Sequence, residues 1–79
     1  MWWWFEKLSE SRDRVVYAYS RESRHADGQI EIDKEAREVK LLIPCEADKD
    51  SAFAQSRACD KVYRLIDEQY PDQRQIACG

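Results

Sequence analysis

The hydrophobic pattern of this chain changes its period once, close to Asp48. Before that point apolar and polar residues alternate, which is the pattern of a strand with one buried face. After it, apolar residues recur at the spacing of a helix with one apolar face. In a chain of only 79 residues, this order predicts a single small α+β domain, residues 1–79, in which a sheet is followed by a helix that covers it.

Three segments before Asp48 have the strand pattern and predict an antiparallel meander. They span about 14–23, 28–33 and 38–44. Asp27 and Gly28 form a strong turn signal between the first two, because both residues tolerate positive φ. Pro44 cannot donate to a ladder and therefore closes the third strand.

The segment from about 49 to 70 predicts one long amphipathic helix on one side of this sheet. Either Asp48 or Asp50 can cap its beginning, and Pro71 stops it. The predicted apolar stripe consists of Ala52, Gln55, Ala58, Cys59, Val62, Tyr63, Leu65, Ile66 and Tyr70.

The two ends of the chain give weaker patterns. Residues 2–10 fit either a short helix or a strand, and the helix formers Glu6, Lys7 and Leu8 favour the helix. The segment Gln75–Cys78 predicts a short strand, or else a tail that packs Ile76 against the end of the long helix.

Aromatic residues exceed what one helix and three strands need for a core, and one helix covers only one face of a sheet. The candidate interface residues are Trp2, Trp3, Trp4, Phe5, Tyr17 and Tyr19. Such side chains are enriched at interface cores. Two interpretations stay open: the N-terminal aromatics close the sheet of their own chain, or they bind a protein partner, for instance a second copy.

Charge gives a weaker alternative, binding of single-stranded nucleic acid through the first strand. The candidate contacts are Arg12, Arg14, Arg21 and Arg24, which surround Tyr17 and Tyr19. However, acidic residues are interleaved with these arginines, and the 16 Asp and Glu outnumber the 13 Lys and Arg. A net charge of −3 argues against a nucleic-acid binder, which is usually basic.

Residues that could carry chemistry do not form a motif. The three cysteines, Cys45, Cys59 and Cys78, have no C-x-x-C spacing and lie far from His25 in sequence. An odd and sparse set of cysteines indicates reduced thiols, with Cys59 as a small core residue. The chain also lacks a glycine-rich phosphate loop and a nucleophile motif. We therefore expect no enzyme activity, catalytic residue, metal, cofactor or small-molecule substrate.

No apolar run approaches the ~18 residues that a membrane span requires, and the N-terminal aromatics lack the features of a signal peptide. Tryptophans favour bilayer interfaces, but Lys7 stands between Glu6 and Glu10 rather than in a basic cluster. The sequence thus predicts a small cytoplasmic, non-enzymatic module for protein–protein interaction or an accessory role, with a homodimer as one possibility.

Overall fold

The computed structural model describes residues 1–77 and confirms the α+β class. Its elements are β1 (Trp2–Glu10), β2 (Arg14–Arg21), β3 (Gly28–Asp33), β4 (Glu38–Ile43), a 3-10 turn (Glu46–Asp48), α1 (Ala52–Asp67) and β5 (Gln73–Ala77). The five strands form one antiparallel sheet in the order β4-β3-β2-β1-β5.

The predicted meander is present as β2, β3 and β4, but the sheet is wider than three strands. β1 and β5 extend it beyond β2, so the three-stranded description was too small. The first predicted strand also ends earlier, at Arg21, because Glu22 has a φ of 55° and turns the chain away.

Residues 2–10 form a strand, so the strand alternative is confirmed and the preference for an N-terminal helix was wrong. β1 pairs with β2 on one side and with β5 on the other, which satisfies its backbone groups along two edges. Trp3, for example, lies opposite both Arg21 and Ile76. Aromatic residues fit a pleated, packed surface well, and this tertiary pairing outweighs the weak helix preference of Glu6 and Lys7.

The helix is shorter than predicted, because neither expected cap is used. Ser51 caps α1 instead, and its side chain accepts a hydrogen bond from the Ala54 amide at 3.1 Å. At the other end Gln69 and Tyr70 both have a φ of 62°, a left-handed conformation that ends a helix before Pro71.

One side of α1 and one face of the sheet together form the core. Its buried members are Trp3, Phe5, Val15, Tyr17, Tyr19, Ile30, Ile32, Cys45, Ala58, Val62, Leu65, Ile66 and Ile76. Ala52 and Tyr63 lie outside this core although the predicted stripe included them, and Ala54 is buried instead. The buried side of the helix thus includes the small Ala54 and Ala58, and α1 contacts β4 of the sheet.

Candidate interaction surface

The N-terminal aromatics divide between the two faces of β1. Trp3 and Phe5 are fully buried in the core under α1. Trp2 and Trp4 point to the other face of the sheet, where Trp2 is half-buried and Trp4 is only 8% exposed. This division follows from the alternation of side chains along a strand, and it places the aromatic run within its own domain.

Trp4 is covered by polar side chains although no helix lies on its face. The Arg24 guanidinium carbon stands 4.6 Å from the centroid of the Trp4 ring, in the range of a cation–π contact. The indole Nε1 donates a 2.6 Å hydrogen bond to Glu6. In the neighbouring strand Ala18 and Ser20 are buried as well, so the part of this face around Trp4 is covered by side chains of the chain itself.

The two tyrosines of the first predicted strand are core residues. Tyr17 and Tyr19 are fully buried. The Tyr17 hydroxyl donates to the Pro71 carbonyl at 2.6 Å, and the Tyr19 hydroxyl accepts from the Cys45 amide at 3.0 Å. Burial raises the pKa of each phenol well above its ordinary value. Neither ring is placed where a base or a partner would stack on it.

The four arginines proposed as nucleic-acid contacts do not form one surface. Arg21 pairs with the buried carboxylate of Asp48, Arg14 pairs with Glu31 at 2.7 Å, and Arg24 lies over Trp4. Arg12 is exposed in the turn between β1 and β2. Three of these arginines are thus engaged within the chain, and among residues 1–77 the four do not converge on one strand surface with Tyr17 and Tyr19.

The cysteines are placed as small apolar groups. Cys45 is buried and Cys59 half-buried, and both are free thiols; Cys78 lies outside the described residues. Burial raises the pKa of both described thiols, which keeps them protonated and weakly nucleophilic near neutral pH. Across residues 1–77, no three metal-ligating side chains converge on a point that would hold an ion.

The outer face of α1 carries the most exposed aromatic side chains of the described chain. Phe53 is 67% exposed and Tyr63 is 43% exposed. The Arg57 guanidinium carbon is 5.7 Å from the centroid of the Phe53 ring. We define the outer face as Phe53, Ser56, Arg57, Asp60, Tyr63, Arg64 and Asp67. All of these are exposed except Arg57, which is half-buried.

The helical periodicity does not reveal this surface, because it predicts Tyr63 in the buried stripe and leaves Phe53 outside it. The detectable signal is spacing. Phe53 and four charged residues recur alternately four and three residues apart along the helix, so they form one straight row on one side. Because the row lies away from the buried side of the helix, this spacing indicates that the Phe53 ring is exposed.

Other exposed apolar side chains lie apart from this face. Leu8 is on β1 and Leu42 and Ile43 are on β4, and Met1 precedes the sheet. β4 is an edge strand, but its pairing with β3 shifts register next to Ile30. Bulges and a charged residue such as Lys40 hinder pairing with further strands, so the β4 edge is protected.

Comparisons of the chain with models of known protein families, with curated proteins and with solved structures found no match. Among residues 1–77, the structure has no helix with both the length and the apolar character that crossing a membrane requires.

Proposed function

We propose that this chain is a small, non-enzymatic module that acts in the cytoplasm through protein–protein contacts, and that the outer face of α1 makes these contacts. The observation that supports the proposal is the exposure of Phe53 and Tyr63 on a helix whose other side already completes the core. Neither aromatic is a member of the buried core.

The energetic argument concerns what these rings gain from a partner. Removing a side chain such as Phe53 from water contributes about 1.5–3 kcal/mol. Aromatic side chains, together with arginines such as Arg57 and Arg64, are the residue types that dominate binding energy in interface centres. The outer face combines both types, whereas none of the remaining exposed large apolar residues is aromatic, and they lie at Met1 or on β1 and β4.

The test is affinity isolation of a tagged chain from its native host, with a second, differently tagged copy expressed beside it. The double variant Phe53→Ser/Tyr63→Ser is expected to lose the protein that the wild type retains. The matched control is Leu8→Ser/Leu42→Ser, which removes two exposed apolar side chains elsewhere (54% and 40% exposed) and is expected to retain it.

A retained protein, which can be the second copy, must then bind the purified wild-type chain directly. The proposal fails if nothing is retained above background, if the control loses the partner as fully as the outer-face variant, or if the retained molecule is a nucleic acid. Retention of nucleic acid would instead support the alternative function, binding of single strands.

A further inference from the structure

We infer that the partner at the outer face of α1 is a second copy of this chain, whose α1 packs antiparallel on the first. This inference rests on the proposed function, since it names the partner of the same surface. The supporting observation is the order of charges along the helix. When one copy of the helix is reversed against another, opposite charges lie next to each other.

The outer face has the spacing of a helix–helix seam. Phe53, Arg57, Asp60, Arg64 and Asp67 are alternately four and three residues apart, the spacing of the two contact positions in paired helices. A seam of this kind presents one continuous row to a neighbouring helix. Here the row begins with an aromatic residue and continues with charges of alternating sign.

The alternation of sign selects the antiparallel orientation. With a two-fold axis close to Val62, Asp60 of each copy faces Arg64 of the other, and Arg57 of each copy faces Asp67 of the other. Every charge of the row then meets an opposite charge. A parallel, in-register pair would instead place each charge against its own copy, and like charges in contact disfavour that arrangement.

The register is selected as well. Sliding the reversed helix by one heptad in one direction leaves only the Arg57–Asp60 pairs and sets Asp67 against Asp50 of the other copy. Sliding it in the other direction leaves only the Arg64–Asp67 pairs. The register centred near Val62 forms twice as many opposite-charge contacts as either shifted register. The charges therefore select the register as well as the orientation.

The central charges are available for such contacts. Within residues 1–77, the side chains of Asp60 and Arg64 take part in no ion pair or hydrogen bond, although they stand four residues apart on one helix. Asp67 has a 3.3 Å contact to Arg37, and both side chains are largely exposed. Exposed pairs of this kind contribute little, so Asp67 can exchange Arg37 for a partner across the interface.

The exposed aromatics lie where this arrangement would bury them. Tyr63 flanks the seam near the two-fold axis and faces Tyr63 of the second copy. Phe53 reaches the opposite end, where Tyr70 and Pro71 of the second copy are half-buried and leave apolar surface to contact. On the other flank the two copies of Lys61 approach each other, which limits the affinity.

The size of the contact indicates a weak dimer. α1 has 16 residues and is therefore about 24 Å long. One such helix per copy buries less than the roughly 1,200–2,000 Å² of a standard stable interface. We therefore expect dissociation constants on the order of 10–100 μM, with dimerisation weakened by salt because ion pairs orient it.

The experiment is sedimentation equilibrium of the purified chain over a concentration series that brackets this range, with a charge-swap cycle. The single variants Asp60→Arg and Arg64→Asp each oppose like charges at two symmetric places, and each is expected to weaken the dimer about tenfold or more. The double variant restores both opposite-charge pairs and is expected to return to within about threefold of the wild type.

The control is Lys40→Asp, which makes the same change in net charge as Arg64→Asp but lies on β4, and its dimerisation is expected to equal that of the wild type. Amide NMR spectra of each variant verify the fold. On dilution of the wild type, shift changes are expected along residues 53–67.

The inference is overturned if the chain is a monomer at all concentrations. It is also overturned if the double variant does not restore dimerisation, or if the shift changes on dilution are confined to residues 38–43. If the chain is monomeric and still retains another protein through Phe53 and Tyr63, only the inference fails. If it retains nothing, the proposed function fails as well.

Discussion

A single buried carboxylate ties together three parts of the chain that are distant in sequence. Asp48 is fully buried and accepts a 3.0 Å hydrogen bond from the Trp3 indole and another from the Arg21 guanidinium. Arg21 also donates to the Ala47 carbonyl at 2.8 Å. The turn before α1 is thereby fixed to β1 and β2, because a buried charge is stable only when it is paired and hydrogen-bonded.

Replacing Arg21 by Met should destabilise the domain by about 3 kcal/mol, because it leaves the Asp48 carboxylate buried without its cation. Urea unfolding measures the change in the free energy of unfolding. The control is Arg14→Met, which breaks an exposed pair with Glu31 and should lower that free energy by less than about 0.5 kcal/mol. In a double-mutant cycle, the stability losses of Arg21→Met and Asp48→Ala should together exceed the loss measured for the variant that carries both substitutions. Simple additivity would contradict a direct coupling.

Gly28 is the second residue whose identity the packing dictates. A Cβ at this position would stand 2.4 Å from Cε1 of Tyr19 and 2.6 Å from the backbone nitrogen of Cys45. The Cys45 backbone is held by its hydrogen bond to the Tyr19 hydroxyl, so neither neighbour can withdraw without losing that bond. The sequence presents Gly28 as a turn residue, whereas the structure requires it for space.

Gly28→Ala should therefore lower the free energy of unfolding by about 1–3 kcal/mol or more, which is the cost of overpacking. Chemical denaturation checks this, with Glu35→Ala in the exposed turn between β3 and β4 as a control expected within about 0.5 kcal/mol of the wild type. A Gly28→Ala protein as stable as the control would show that the space is not restricted.

At the scale of elements, β1 decides the architecture, because it joins the meander to β5 and supplies two of the largest core residues. Trp3 and Phe5 pack under α1, while Trp2 and Trp4 lie on the opposite face. Adjacent residues of identical type thus have different roles. Only the position of each Trp in the pleat distinguishes them.

Trp3→Ala should lower the free energy of unfolding by about 3–5 kcal/mol, since it empties a fully buried site. Trp2→Ala should lower it by about 1 kcal/mol, since Trp2 is only half-buried. Thermal unfolding followed by circular dichroism compares the two variants. Should Trp3→Ala be unfolded outright, the ranking still holds if Trp2→Ala folds. Equal losses, or a larger loss for Trp2, would contradict the observed division of faces.

The elements that sequence patterns predicted are those with clear periodicity. β3 alternates Ile30 and Ile32 with polar residues, and α1 repeats its apolar side over several turns. β1 could not be recognised in this way, because Trp2 to Phe5 are aromatic on both faces and show no alternation. Helix formers such as Glu6 then pointed to the wrong structure, since pairing with β2 and β5 is a tertiary effect that local propensity does not contain.

At the scale of the whole molecule, the two faces of the sheet are covered in different ways. α1 covers one face, and polar side chains such as Arg24 and Glu6 cover the aromatic part of the other. The Trp4 ring is therefore buried on the second face without an additional element. This consequence could not be read from the count of aromatic residues.

The buried phenols predict how the stability of the whole domain depends on pH. The folded state raises the pKa of Tyr17 and Tyr19, mainly because burial disfavours the phenolate. Their contribution is fully present below the unfolded value of about 10, and it is lost as pH rises above that value towards the folded one, since only the unfolded chain releases these protons. Stability should therefore fall steeply above about pH 10.

Thermal unfolding between about pH 8 and pH 11 measures this loss. Tyr17→Phe removes the hydrogen bond to Pro71 and is expected to be less stable at pH 8, but its decline at alkaline pH should be shallower. The exposed Tyr63→Phe is the matched control and should decline like the wild type. If all three proteins lose stability with the same slope, the buried phenols do not control alkaline unfolding.

The sequence by itself determined the α+β class, the meander of β2 to β4 and the presence of a long amphipathic helix. These features follow from local periodicity and turn chemistry, which neighbouring residues encode directly. The tertiary structure alone decided that residues 2–10 form a strand between β2 and β5, that Tyr17 and Tyr19 are core residues, and that Phe53 faces outward. Each of these depends on which distant segment lies alongside, because pairing and burial are properties of the assembled chain.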